Sequence, residues 1–205
     1  MLEITFTRSG PRGYATTVRR DRATFELRGF DRPTELPHDL AHYAIERALG
    51  LRHGFWGCVS AGATFQSMTL VQGRRPPMSA ERSREVVWRH CGELTEAEAL
   101  VGLMLEIFLG DIGDDWDAIR RRLAWRWTPP HGGAPIGPLD AGRACQALSR
   151  ARTRWRALPT GGTLTVTWRD PPERPGPPDR SRPGPPERSR RRRPAPSATA
   201  RRSLP

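Results

Sequence analysis

Three short segments at the amino terminus alternate between apolar and polar residues, and this alternation constrains the fold more than any other feature. Leu2, Ile4 and Phe6 interleave with Glu3, Thr5 and Thr7, and Ala23, Phe25 and Leu27 interleave with Thr24, Glu26 and Arg28. Between them runs Tyr14 to Arg20, rich in threonine, and the three segments are separated by the turn-forming SGPRG at Ser9 to Gly13 and by Asp21-Arg22. A period of two over five to seven residues places every second side chain on one face of a strand. Short turns make consecutive strands antiparallel. The segments therefore predict a meander with one apolar face, which must be covered. Leu164, Val166 and Trp168, alternating with Thr163, Thr165 and Thr167, predict a fourth strand that returns to the same sheet.

The cover is predicted from the helical segments after the meander. Pro37 suits the first turn of a helix, where its missing N–H costs nothing. Asp39 suits the positive end of the helix dipole, and Gly50 suits a stop. At about 100° per residue, Leu40, Ala41, Ala44, Ile45, Ala48 and Leu49 share one half of this helix. Asp39, Tyr43, Glu46 and Arg47 share the other. A Gly- and Ala-rich stretch with Phe55, Trp56 and Phe65 then predicts a tightly packed second helix or turn. Thr95 to Glu98 (TEAE) reads as a capping box, opening the apolar run ALVGLMLEIFLG. At about 12 apolar residues that run is a core helix and not a membrane span. Asp114 or Asp115 in DIGDDWD is the expected N-cap of a helix carrying Trp116, Ile119, Leu123 and Trp127. Asp140 to Leu158 is a further amphipathic helix with Ala144, Leu148, Ala151 and Trp155 inward and Arg143, Arg150 and Arg154 outward. Glu81 to His90 is read as a short helix with Val86, Val87 and Trp88 inward. The fold class is α+β, a four-stranded, mainly antiparallel sheet covered on one face by four to five helices.

Candidate chemistry gathers on the first helix. His38 and His42, at i and i+4, lie on one edge of its apolar half, a spacing that lets two imidazoles reach one ion. The spacing is that of the zinc-peptidase helix HExxH, with Asp39 where those enzymes have glutamate and without their further histidine. His38 and His42 are the candidate metal ligands. Asp39 and Glu106 are the candidate acid–base groups, Glu106 being the one charge in the apolar helix after its cap. Glu46 and Trp56 are the candidate ligand-binding residues. Glu46 stands eight residues from His38, about 12 Å along the axis, too far to share a metal with it. His90-Cys91 is a weaker pair, because adjacent side chains on a helix diverge. No phosphate-binding loop and no nucleophile–base pair is present.

The run Leu36 to Phe65, which contains Pro37, His38, Asp39, Leu40, His42 and Glu46, resembles a group of small bacterial proteins with a PHDLxHxxxE core followed by a Gly/Ala-rich segment. The resemblance covers about thirty residues. It implies a domain type and assigns no activity and no residue role.

Charge enters where partners are concerned. The 205 residues carry a net charge of +12, and every basic residue is arginine, which points to a GC-rich genome more than to a polyanion partner. Ten of the arginines, against four acids, lie from Asp170 onward, together with eleven of the 21 prolines and a repeat, RPGPPDRS then RPGPPERS. Residues 1–169 are therefore expected to form one α+β domain and residues 170–205 a disordered Pro/Arg-rich tail. The tail is a candidate for weak nucleic-acid binding through counterion release. Cys58, Cys91 and Cys145 form no CxxC pair, and MLEITFTRSG lacks the apolar core of a leader. A reduced, cytoplasmic protein without a membrane partner is the expectation. The functional expectation is a non-catalytic protein that binds a protein or small ligand, with no cofactor. The alternatives are a metal-dependent hydrolase-type enzyme, holding one divalent metal (Zn, Mn or Fe) on His38 and His42, and weak nucleic-acid binding through the tail.

Overall fold

Strands β1 (Leu2–Arg8), β2 (Tyr14–Arg20) and β3 (Ala23–Leu27) form the expected meander. The computed structural model describes residues 1–10, 13–27, 36–110, 115, 117–119, 121–122 and 136–171. By contacts the chain divides into Met1–Arg174 and Pro175–Pro205. The second unit, with most of the expected tail, lies outside the described residues, as do Trp116, Leu123 and Trp127 of the expected helix stripe.

The register explains the buried face. Ile4 stands opposite Val18, and Val18 opposite Phe25. Directly opposed residues of an antiparallel pair point to the same side, so Leu2, Ile4, Phe6, Val18, Phe25 and Leu27 pack together and are buried. The turn between β2 and β3 places Asp21 at φ +56°, a conformation that aspartate tolerates better than most side chains. The last strand, β5 (Thr163–Trp168), pairs antiparallel with β1 and sets Leu164, Val166 and Trp168 opposite Phe6, Ile4 and Leu2.

The sheet has five strands, not four. The additional strand, β4 (Met68–Gly73), pairs with β3 around a register shift at Thr24 and Phe25, giving the order β4-β3-β2-β1-β5. It escapes sequence reading because it is an edge strand: only Met68 is buried, so the alternation that marks the other strands is nearly absent. The face away from the core carries Glu3, Thr5, Arg19 and Thr165. There Arg19 donates twice to Glu3, at 3.1 Å each, and Thr5 meets Thr165 at 3.0 Å.

Helices α1 (His38–Leu49), α2 (Phe55–Ala61), α3 (Ser79–Arg89), α4 (Cys91–Leu109) and α5 (Pro138–Arg156) supply the rest. α1 packs on α5, and α4 on both. Leu40, Ile45, Leu100, Met104, Ile107, Leu148 and Trp155 meet the apolar face of the sheet in one core. α1 ends as expected, with Gly50 at φ +69° donating to the Glu46 carbonyl. The loop into α2 is tight enough that a Cβ on Gly57 would fall 1.7 Å from the Arg52 carbonyl oxygen, so only glycine fits there. Arg20 reaches from β2 to donate to the carbonyls of Val59, at 2.5 Å, and Ala63, at 2.8 Å, closing the end of α2. Arg8 does the same at the end of α5, donating to Leu158 O at 2.7 Å.

Two helices differ from the sequence expectation. α4 begins at Cys91, four residues before the expected cap. Thr95 Oγ1 instead donates back to the Cys91 carbonyl at 2.8 Å, a bond made inside a helix and not at its start. In α3 the inward stripe is not formed: Trp88 is 80% exposed, and Ser83 is the one buried residue of that helix. Ser83 Oγ accepts from Thr64 N at 2.9 Å, so a backbone contact, not apolar packing, seats the helix. The Asp115 cap does form, its Oδ1 accepting from the N–H groups of Asp117 and Ala118 at 3.0 Å each. Among the described residues no helix is long and apolar enough to cross a membrane.

Candidate functional site

The helical wheel places Glu46 on the polar half of α1, yet its side chain is 0% exposed. The reason is the chain reversal through Gly50 to Gly54, which lays the first turn of α2 directly on it. Glu46 Oε1 accepts from Phe55 N at 2.9 Å and Oε2 from Trp56 N at 3.0 Å. The first N–H groups of a helix have no partner within the helix and carry the positive end of its dipole. The residue before α2 is Gly54, which brings no capping side chain. A Cβ on Gly54 would stand 2.6 Å from Glu46 Cδ. Glu46 is thus the N-cap of α2, delivered from another helix, and Gly54 makes room for it.

His42 lies one turn earlier and is 2% exposed. Its Nδ1 meets Glu46 Oε1 at 3.0 Å. Its Nε2 lies 3.3 Å from Oε2 of Glu98, on α4; the two are close enough to attract but not aligned as a hydrogen bond, and among the described residues Nε2 has no hydrogen-bond partner. Burial pulls the His42 pKa down, but the bond to Glu46 and the nearby carboxyl groups of Glu46 and Glu98 outweigh it and raise the pKa to about 9. Burial raises the Glu46 carboxyl above its ordinary value, against the pull of His42 and the two backbone donors. Burial also pushes Glu98 upward, but it is overcome by His42 and His38, leaving Glu98 below its ordinary value. The arrangement is an imidazole held between two carboxyl groups, with Nδ1 bonded to Glu46 and Nε2 facing Glu98.

The His38 ring lies edge-on to that of His42, with centroids 4.7 Å apart. Its pKa is lowered by partial burial and by the charge of His42, against Asp39 and Glu98. Asp39 accepts from Thr16 Oγ1 at 2.9 Å, and burial raises its pKa against that bond. Trp56 is buried and donates its indole N–H to the Asp39 carbonyl at 2.9 Å, with the Phe6 ring edge-on at 6.3 Å. It is a core anchor between α1, α2 and the sheet. Glu106 accepts from Arg122 at 2.9 Å. It is not among the groups acting on either histidine. The α4 carboxylate that does reach them is Glu98, two turns earlier or about 12 Å along the axis. Glu98 is legible in the sequence only as part of a capping box; its partner on α1 has no local signal.

No family model, curated protein or solved structure matches the chain.

His42 Nδ1 and both Glu46 oxygens are committed to holding α2. Cys58, the buried thiol nearby, is pushed up to about 12, first by burial and then by the negative charges of Glu46 and Glu93, so it is not a thiolate at neutral pH. A different feature is open to solvent. Between α1, α5 and β5 lies a groove of about 330 Å³. Its floor is apolar, made by Leu40, Ala44, Ala151, Leu164 and Val166, and Arg47, Arg150 and Arg154 stand around it. Arg47 donates to the Arg169 carbonyl at 2.5 Å and Tyr43 to the Thr167 carbonyl at 3.3 Å. Side chains of α1 thus bond to the carbonyls of Thr167 in β5 and of Arg169 just after it.

Proposed function

We propose that this chain is a non-catalytic binding protein whose groove between α1, α5 and β5 takes a small anionic ligand with an apolar body. The observation that carries the reading is the pairing of an apolar floor with three guanidinium groups in a cavity of about 330 Å³. Apolar walls with a few placed polar groups are the usual make-up of small-molecule sites. Guanidinium groups favour carboxylates and phosphates. The α1 cluster supports the non-catalytic reading from the other side. For His42 to act as a base or metal ligand through Nδ1 it must release Glu46, and Glu46 is the cap of α2.

The test is calorimetric titration with decanoate and, as its uncharged counterpart, decanol. Decanoate is expected to bind more tightly than decanol. The double variant Arg150→Glu/Arg154→Glu reverses two exposed charges and is expected to weaken decanoate binding by roughly tenfold, about 1.4 kcal/mol. Equal binding of decanol, or no change in the double variant, overturns the reading.

A further inference from the structure

A second cluster of titratable groups lies apart from the groove and from His42. His53 sits in the loop between α1 and α2, His90 at the junction of α3 and α4, and Glu93 in the first turn of α4. Glu93 Oε2 is 2.5 Å from His53 Nδ1, and its Oε1 is 3.2 Å from His90 Nδ1. The two imidazoles are stacked, with centroids 3.8 Å apart and planes inclined by 15°. One potential ligand atom from each residue lies within 4.8 Å of the others. Among the described residues this is the only such trio; His38, His42, Glu46 and Glu98 do not form one.

We propose that His53, His90 and Glu93 bind a divalent transition metal, zinc being the best fit. Two imidazoles and a carboxylate are a donor set that zinc accepts, with ligands at about 2.0–2.2 Å and a fourth position left for water. In a tetrahedron of that size the ligand atoms stand about 3.3 Å apart. Here each ring meets its own carboxylate oxygen, His90 Nδ1 at 3.2 Å from Oε1 and His53 Nδ1 at 2.5 Å from Oε2, and one ligand atom from each residue lies within 4.8 Å of the others. Binding therefore has one carboxylate oxygen serve both rings and the stacked rings turn until their nitrogen lone pairs converge on the ion, movements within reach of side chains as exposed as His53, at 36%, and Glu93, at 56%. The same exposure admits the water that completes the sphere. Cys91 follows His90 in sequence but is not part of the trio; its place is taken by Glu93, one turn into the helix. The metal would tie the α1–α2 loop to the start of α4, and it is independent of the groove proposed above.

The test uses the full chain, stripped with chelator and titrated with zinc in competition with a chromophoric chelator. One equivalent is expected to bind, and excess magnesium is expected not to displace it, because imidazole selects zinc over magnesium. His53→Gln and His90→Gln are each expected to weaken binding by at least the roughly tenfold that loss of even an outer-shell partner costs. To separate ligand loss from any effect of the variants on folding, imidazole NMR resonances of the wild type are followed in parallel. Zinc should move those of His53 and His90 and leave His38 and His42 in place. Absence of zinc binding to the wild type overturns the proposal. So does binding that survives both substitutions, or that is lost in His38→Gln and kept in His53→Gln and His90→Gln.

Discussion

Replacing Glu46 with glutamine keeps the shape of the side chain and removes only its charge and one acceptor. The carboxylate serves three donors: Phe55 N–H at 2.9 Å, Trp56 N–H at 3.0 Å and His42 Nδ1 at 3.0 Å. Glutamine has one acceptor oxygen and one donor amide. With the oxygen toward Phe55 and His42, its NH₂ faces the N–H of Trp56. With the oxygen toward Trp56, its NH₂ faces the N–H of Phe55. At least one buried donor is left unpaired in either orientation. Hydrogen bonds to a charged group contribute about 1.5–3 kcal/mol each, and an unsatisfied buried donor costs about 1–3 kcal/mol. Relief of the carboxylate's own desolvation, seen in its raised pKa, offsets part of this. Glu46→Gln is therefore expected to lower stability by about 2–3 kcal/mol. Glu46→Ala, which breaks the buried pair outright, is expected to cost about 3–5 kcal/mol. Urea unfolding at pH 7, followed by tryptophan fluorescence and far-ultraviolet circular dichroism, measures both. A Glu46→Gln variant within about 0.5 kcal/mol of wild type would refute the reasoning, because it would place the shared proton on Glu46 and leave His42 neutral.

Three further outcomes rest on the same geometry. The His42 pKa is raised from 6.5 to about 9, so its contribution to stability is complete below about pH 6.5 and is lost as the pH rises through about 9. At 1.36 kcal/mol per pKa unit the loss approaches about 3 kcal/mol. The stability difference between wild type and His42→Gln, measured by urea unfolding from pH 6 to 10, should shrink over that window; a flat difference would count against the charged imidazole. Gly54→Ala places a methyl 2.6 Å from Glu46 Cδ and should cost about 1–3 kcal/mol by overpacking, read from the same unfolding curves. In Glu46→Ala, where the obstructing carboxylate is gone, the added cost of Gly54→Ala should fall below about 1 kcal/mol, a coupling that a double-mutant cycle measures directly.

Much of the architecture is legible locally. Strands β1, β2, β3 and β5 are legible because each buries every second residue along much of its length. The limits of α1 are legible because Pro37 and Gly50 act on their own neighbours. β4 is not, since an edge strand with one buried residue has no period to read. Trp88 reads as core because a tryptophan beside two valines suggests one, whereas its actual exposure depends on where α3 lands. Of the candidate site, His38, Asp39, His42, Glu46 and Trp56 can be named from sequence, but their partners cannot. Glu106 has the right character for a buried carboxylate and the wrong position on α4.

The sequence by itself determined most of the strands and helices, which face of each is apolar, and which side chains carry chemistry, because periodicity and capping act over a few residues. Only the tertiary structure decided that Glu46 on α1 caps α2, that Glu98 and not Glu106 faces His42, and that His53, His90 and Glu93 converge. Those pairings join α1, α2 and α4 across loops and core packing. A side chain's pKa and its ligands are set by whatever packing brings within about 4 Å, a distance that no local pattern encodes.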